Sequence, residues 1–70
     1  MQILLPTEGL YGRIVEVRVD KEYTPEFAPD AISPGSKKMV LNINHNFRKG
    51  KHMIEVITDR GNYLRLQIEI

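Results

Sequence analysis

The chain contains no cysteine, which removes disulfides, thiolate metal sites and cysteine nucleophiles together and leaves a small domain without a covalent staple. It has no long apolar run either. The opening Met1-Gln2-Ile3-Leu4-Leu5-Pro6 holds three consecutive apolar residues and no basic flank, far short of a secretory signal or a membrane span. The only serines, Ser33 and Ser36, flank Pro34-Gly35, where turn chemistry accounts for them and no general base stands beside them. Charge of one sign is missing as well. Ten basic residues face nine acidic ones, a net charge of +1, so attraction to nucleic acid or anionic lipid has to come from local clusters. Aromatic residues are few and scattered, at Tyr11, Tyr23, Phe27, Phe47 and Tyr63, so no strand face offers a platform on which bases stack.

What is present is an ordinary globular composition. Seventy residues, 27% charged and 41% hydrophobic, make one folded domain spanning residues 1–70 and leave no room for a second core. With Met1 as a native start, the absence of a leader predicts a protein that stays in the cytoplasm or leaves inside a virion. As an excised domain, it is equally compatible with an extracellular surface.

Apolar and polar residues alternate in four segments, which is the period of a half-buried strand. Over residues 13–20 the apolar set is Val15, Val17 and Val19. Over 38–44 it is Met39, Leu41 and Ile43, and over 51–58 it is Ile54 and Val56. The third segment also carries Met53 and Ile57 on its opposite face, as a central strand or a partner-covered strand does. Over 62–70 Leu64, Leu66, Ile68 and Ile70 alternate with Tyr63, Arg65, Gln67 and Glu69, the cleanest period of two in the chain. Thr58-Asp59-Arg60-Gly61-Asn62 places Gly and Asn where a tight hairpin needs positive φ. The longer reversal Asn44 to Gly50 has similar chemistry, so the last three strands are expected to form an antiparallel meander.

Between Lys21 and Lys37 stand Pro25, Pro29 and Pro34, which bar a central strand. Thr24-Pro25-Glu26 suits a single capped helical turn, and Pro34-Gly35 suits a type II turn. A connection this long predicts a functional loop or a crossover between two sheets. The fold expected is therefore all-β, a small antiparallel sandwich or a partly open barrel. Its core is thin for an unstapled domain, and a regular strand such as 63–70 at a sheet edge would present unpaired backbone to a second copy or a partner.

Site chemistry is sparse. His45 and His52 lack a third donor at any recognised ligand spacing, and read as solvated loop histidines. Glu22, Glu26 and Asp30 match no calcium loop. No metal or cofactor is expected, and no catalytic constellation appears. The distinctive cluster is His45, Phe47, Arg48, Lys49 and Lys51, with Lys37 near the start of the preceding strand. Cations with an aromatic at a loop tip can hold phosphates and stack a base, or can simply keep the sheet soluble.

The half from Ile32 onward resembles the closing part of immunoglobulin-like sandwiches found in archaeal pilins, archaellins and bacterial surface proteins. The resemblance rests on Ser33-Pro34-Gly35, the strand Met39 to Ile43, Gly50, Ile54-Glu55-Val56-Ile57-Thr58 and Asp59-Arg60-Gly61-Asn62. It implies a sandwich with a role in surface or particle structure. Met53 stands where those domains usually have Tyr, and no N-terminal hydrophobic helix for filament assembly is present, so the resemblance does not extend to a pilin. Gly9-Leu10-Tyr11-Gly12-Arg13-Ile14-Val15-Glu16-Val17 is similar to a strand opening in SH3-like barrels of ribosomal and transcription proteins, which implies nucleic-acid binding through loop cations.

The function expected from these readings is a non-catalytic structural or protein-interaction module, assembling by self-association or strand addition, with Tyr63, Arg65, Gln67 and Glu69 as edge contacts. The alternative is a nucleic-acid-binding barrel using Lys37, His45, Phe47, Arg48, Lys49 and Lys51.

Overall fold

The computed structural model describes residues 1–70 and contains no helix. Six strands follow in order: β1 (Gln2–Pro6), β2 (Ile14–Val19), β3 (Glu26–Ala28), β4 (Lys38–Asn44), β5 (Lys51–Thr58) and β6 (Tyr63–Glu69). They form two antiparallel three-stranded sheets, ordered β1-β4-β3 and β2-β5-β6. No strand joins the sheets into a barrel. The four expected strands are β2, β4, β5 and β6, and the all-β class holds.

One apolar cluster lies between the sheets. Ile3, Leu5, Leu41 and Ile43 come from the first sheet, Ile14, Val17, Val19, Ile54 and Val56 from the second, and Ile32 from the proline-rich connection. β5 is the central strand of its sheet, and its inward Ile54 and Val56 are completely buried. Inward residues of β6 fare differently. Leu64, Leu66 and Ile68, on an edge strand, pack on the cluster but are only half-buried.

Several expectations change. The meander is confined to β5 and β6, since β4 and β5 belong to opposite sheets. The reversal at 44–50 is therefore a crossing between sheets, and Phe47 packs inward against the core instead of standing at a loop tip. In β2, partner registers step from Ile14↔Thr58 to Glu16↔Ile57, so Val15 is the extra residue of a β-bulge. The bulge shifts the strand's phase, burying Ile14 and leaving Val15, expected inward, 57% exposed. Around Thr24-Pro25 there is no helical turn; Glu26–Ala28 pairs with β4 as a short edge strand. β1 was not foreseen at all.

The turns follow their residues. Gly35 has φ +77° and Ser36 N–H donates to the Ser33 carbonyl at 3.1 Å, as a type II turn with Pro34 leading requires. Gly61 has φ +80° and closes the β5–β6 hairpin, where the Thr58 hydroxyl accepts from Asn62 N–H at 3.1 Å. This hairpin also anchors the 10–13 segment: Tyr11 N–H donates to Asn62 Oδ1 and Arg13 N–H to Asp59 Oδ1, each at 3.0 Å. Gly12 lies between them with φ +85°, and a Cβ there would fall on the Asp59 carboxylate and 2.7 Å from Arg60 Cγ. Only glycine fits that approach.

Candidate functional site

Two sheets have four edges, and an edge strand offers unpaired backbone unless something blunts it. In β1 the exchange of hydrogen bonds at Met1 and Ile43, and the Thr7 N–H bond to the Lys37 carbonyl, turn odd residues toward β4. Pro6 thus falls at an outward position, where it has no N–H to offer. β3 is three residues long between Pro25 and Pro29. β2 carries its bulge, and its start is covered by the proline-rich connection through Ile14 N–H to Asp30 carbonyl at 2.7 Å and Ile32 N–H to Gly12 carbonyl at 3.1 Å. At its other end Tyr23 folds back onto Val19.

β6 has none of these devices. Its register with β5 runs unbroken from Tyr63 to Glu69, without proline or bulge. Gly50 and Ile70 exchange both backbone hydrogen bonds, and in an antiparallel ladder such pairs alternate. Even-numbered residues of β6 therefore bond β5, while the backbone N–H and C=O of Tyr63, Arg65, Gln67 and Glu69 face away from the sheet. All four side chains are exposed on the outer face. The structure thus brings the expected edge set together on one open border.

Beside it lies a buried acid, close in sequence to His52 but at no recognised ligand spacing from it. Glu55, on the outer face of β5, is paired across the ladder with Arg18 of β2 and Arg65 of β6, yet is only 5% exposed. Its Oε2 accepts a short hydrogen bond from the Tyr63 hydroxyl, and its Oε1 is buried with no partner. Arg18 turns instead to Glu16, with Nη2 to Oε2 at 2.9 Å. The hydrogen bond to the Glu55 carboxylate raises the Tyr63 pKa above its ordinary 10.0, because ionising the phenol would put two anions in contact. The only sequence signal was an acid set among Met53, Ile54, Val56 and Ile57.

The other expected cluster divides. Lys37 precedes β4, Lys38 opens it and His45 follows its end, roughly 23 to 27 Å away at ordinary strand rise, so Lys37 does not join the loop cations. Arg48, Lys49 and Lys51 are exposed, but the aromatic between them is engaged: Tyr23, His45, Phe47 and His52 form a chain of ring contacts with centroids 4.8 to 5.3 Å apart. His52 belongs to β5 and not to a loop, while His45 stays on the crossing, half-buried between the Tyr23 and Phe47 rings. The His52 side chain is 13% exposed, with Nδ1 2.7 Å from Asp20 Oδ2 and Nε2 2.6 Å from the Arg48 carbonyl. Asp20 Oδ1 accepts from Met53 N–H at 2.9 Å. Asp20 and Lys21 both have positive φ, a turn that aims the Asp20 carboxylate back at β5.

Both partners of the His52 ring are acceptors, so both ring nitrogens must donate and the imidazolium is the form that fits. The hydrogen bond to Asp20 and then that to the Arg48 carbonyl raise the His52 pKa above 6.5, while the bond to His52 and then the Met53 N–H hold Asp20 below 3.8. A raised histidine stabilises fully below 6.5 and loses its contribution as pH climbs through the folded value. A depressed aspartate contributes above 3.8 and loses that as pH falls through its folded value. The clasp is thus strongest between 3.8 and 6.5. Glu22, His45 and Arg48 share its hollow of about 420 Å³. Urea midpoints followed from about pH 3 to about pH 9 are expected to fall above 6.5 in the wild type. His52→Gln should flatten that decline, and an unchanged pH profile would show that the clasp contributes nothing.

No group of three or more His, Asp or Glu side chains is placed to hold a metal ion, and no helix is long and apolar enough to cross a membrane. No family model, curated protein or solved structure matches this chain.

Proposed function

We propose that this chain is a non-catalytic structural or interaction module that assembles by strand addition at β6. One observation carries the reading: β6 is the one sheet edge that no proline, bulge or covering segment blunts. The half-buried Leu64, Leu66 and Ile68 add to it, since a strand laid beside β6 would cover apolar surface that this core leaves open to water. Main-chain bonds would supply the affinity and the alternate side chains the specificity. Nucleic-acid binding would have to rest on Arg48, Lys49 and Lys51 alone, with Phe47 turned inward and Lys37 at the far end of β4.

Gln67→Pro tests the reading, because residue 67 points its N–H outward and the substitution removes a donor that β5 does not use. Sedimentation is expected to show a mass that rises with wild-type concentration and stays monomeric for Gln67→Pro, whose circular dichroism remains that of a folded sheet. Leu66→Pro removes a β5 ladder bond and should unfold the hairpin. Association undiminished in a folded Gln67→Pro protein would move the interface elsewhere.

A further inference from the structure

We propose that the strand added at β6 is the β6 of a second copy, antiparallel about a two-fold axis through Gln67. The inference rests on the reading of β6 as the assembly edge and supplies its partner and register. The segment Leu64-Arg65-Leu66-Gln67-Ile68-Glu69-Ile70 is symmetric about Gln67 in hydropathy and antisymmetric in charge. Centred there, the outward-facing odd positions meet as Arg65 with the second copy's residue 69, residue 67 with itself, and Glu69 with the second copy's residue 65. Each such pair can exchange both backbone bonds. Arg65 then faces a glutamate twice over, once on each side of the axis.

The inward face agrees with the same register. Residue 64 lies opposite residue 70 and residue 66 opposite residue 68, so all four apolar side chains of one strand meet apolar side chains of the other. These are the residues this core leaves half-buried or exposed: Leu64, Leu66 and Ile68 are intermediate and Ile70 is 42% exposed. Neighbouring registers lose this match. An axis at Arg65 sets the two arginines against each other, which disfavours the pair, and an axis at Leu66 places Asn62 against Ile70. A two-fold contact must be self-complementary, and of the axes at Arg65, Leu66 and Gln67 only the last matches apolar with apolar on one face and opposite charges on the other.

The test uses charge reversal. Arg65→Glu alone would place glutamates opposite Glu69, and Glu69→Arg alone would place arginines opposite Arg65. Each single variant is expected to weaken self-association by about tenfold or more. Mixed in equal amounts, the two complement each other at both positions, so a heterodimer of wild-type affinity is expected in sedimentation experiments. The pair Lys38→Glu and Glu26→Arg, on the other sheet, makes the same change of net charge and should leave the wild-type behaviour intact, alone or mixed. A wild-type protein monomeric up to about 1 mM would overturn the second copy as partner. A dimer abolished by Gln67→Pro but indifferent to the charge reversals would overturn this register and leave the edge reading standing. A dimer indifferent to Gln67→Pro would overturn the edge reading itself.

Discussion

Truncating Ile54 to Ala is expected to cost about 2 to 5 kcal/mol and to leave the monomer largely unfolded at room temperature. Ile54 sits in the middle of the central strand β5, opposite Val19 on one side and Leu66 on the other, and is 0% exposed. The lost side chain leaves a void that neighbours held in two sheets cannot close. A domain of this size without a disulfide has a stability of only about 3 to 5 kcal/mol from its core, so the deletion consumes most of it. Leu66→Ala, on the half-buried inward face of β6, should cost less than half as much in dilute monomer. Urea titrations at low protein concentration check both, and equal midpoints for Ile54→Ala and wild type would mean that the core does not lie where these sheets meet.

Glu55→Met is expected to act in the opposite direction, raising stability by about 1 to 3 kcal/mol. The carboxylate is buried with one oxygen unpartnered, although Arg18 and Arg65 stand beside it in register. A charge held this way has given up much of its hydration for a single hydrogen bond from Tyr63. Methionine of similar length would pack between Met53 and Ile57 without that desolvation, and Tyr63, exposed, can bond water instead. The same change would enlarge the apolar strip on the outer face, so the variant should be more stable and also less soluble. A lowered urea midpoint would show that the Arg18 and Arg65 fields outweigh the burial of the charge.

Much of the scaffold was legible in the chain because side-chain alternation is a local property. Leu41 and Ile43, Ile54 and Val56, and Leu64, Leu66 and Ile68 could be assigned to inward faces from spacing alone. Where spacing misleads, the deciding partner is distant. Ile14 and Val15 are adjacent β-branched residues, and only the pairing with Thr58 and Ile57 shows which of them a bulge turns inward. β1 escaped notice because Ile3-Leu4-Leu5 has no alternation; Leu4 is apolar but exposed, and its pairing partner Val40 is far away in sequence. β3 was masked by the prolines that bracket it.

The sites divide along the same line. Tyr63, Arg65, Gln67 and Glu69 share an outer face through the period of two, which needs no tertiary information. That their strand has a free border depended on sheet order, which the hairpins leave open. Spacing alone leaves His52 without a partner, because Asp20 lies in another strand's closing turn far away in sequence. The polar neighbours Asn46, Arg48 and Lys49 suggest a loop tip for Phe47, whereas the crossing between sheets carries its ring to the core.

The unequal treatment of the four sheet borders also limits growth. Two molecules joined along β6 would present to solvent only borders that are bulged, overlaid or interrupted by proline, Pro6 serving β1, so the ladder would find no place to continue. On the proposed pairing the product would be a closed pair and not a fibril, forming without a lag phase or seeding.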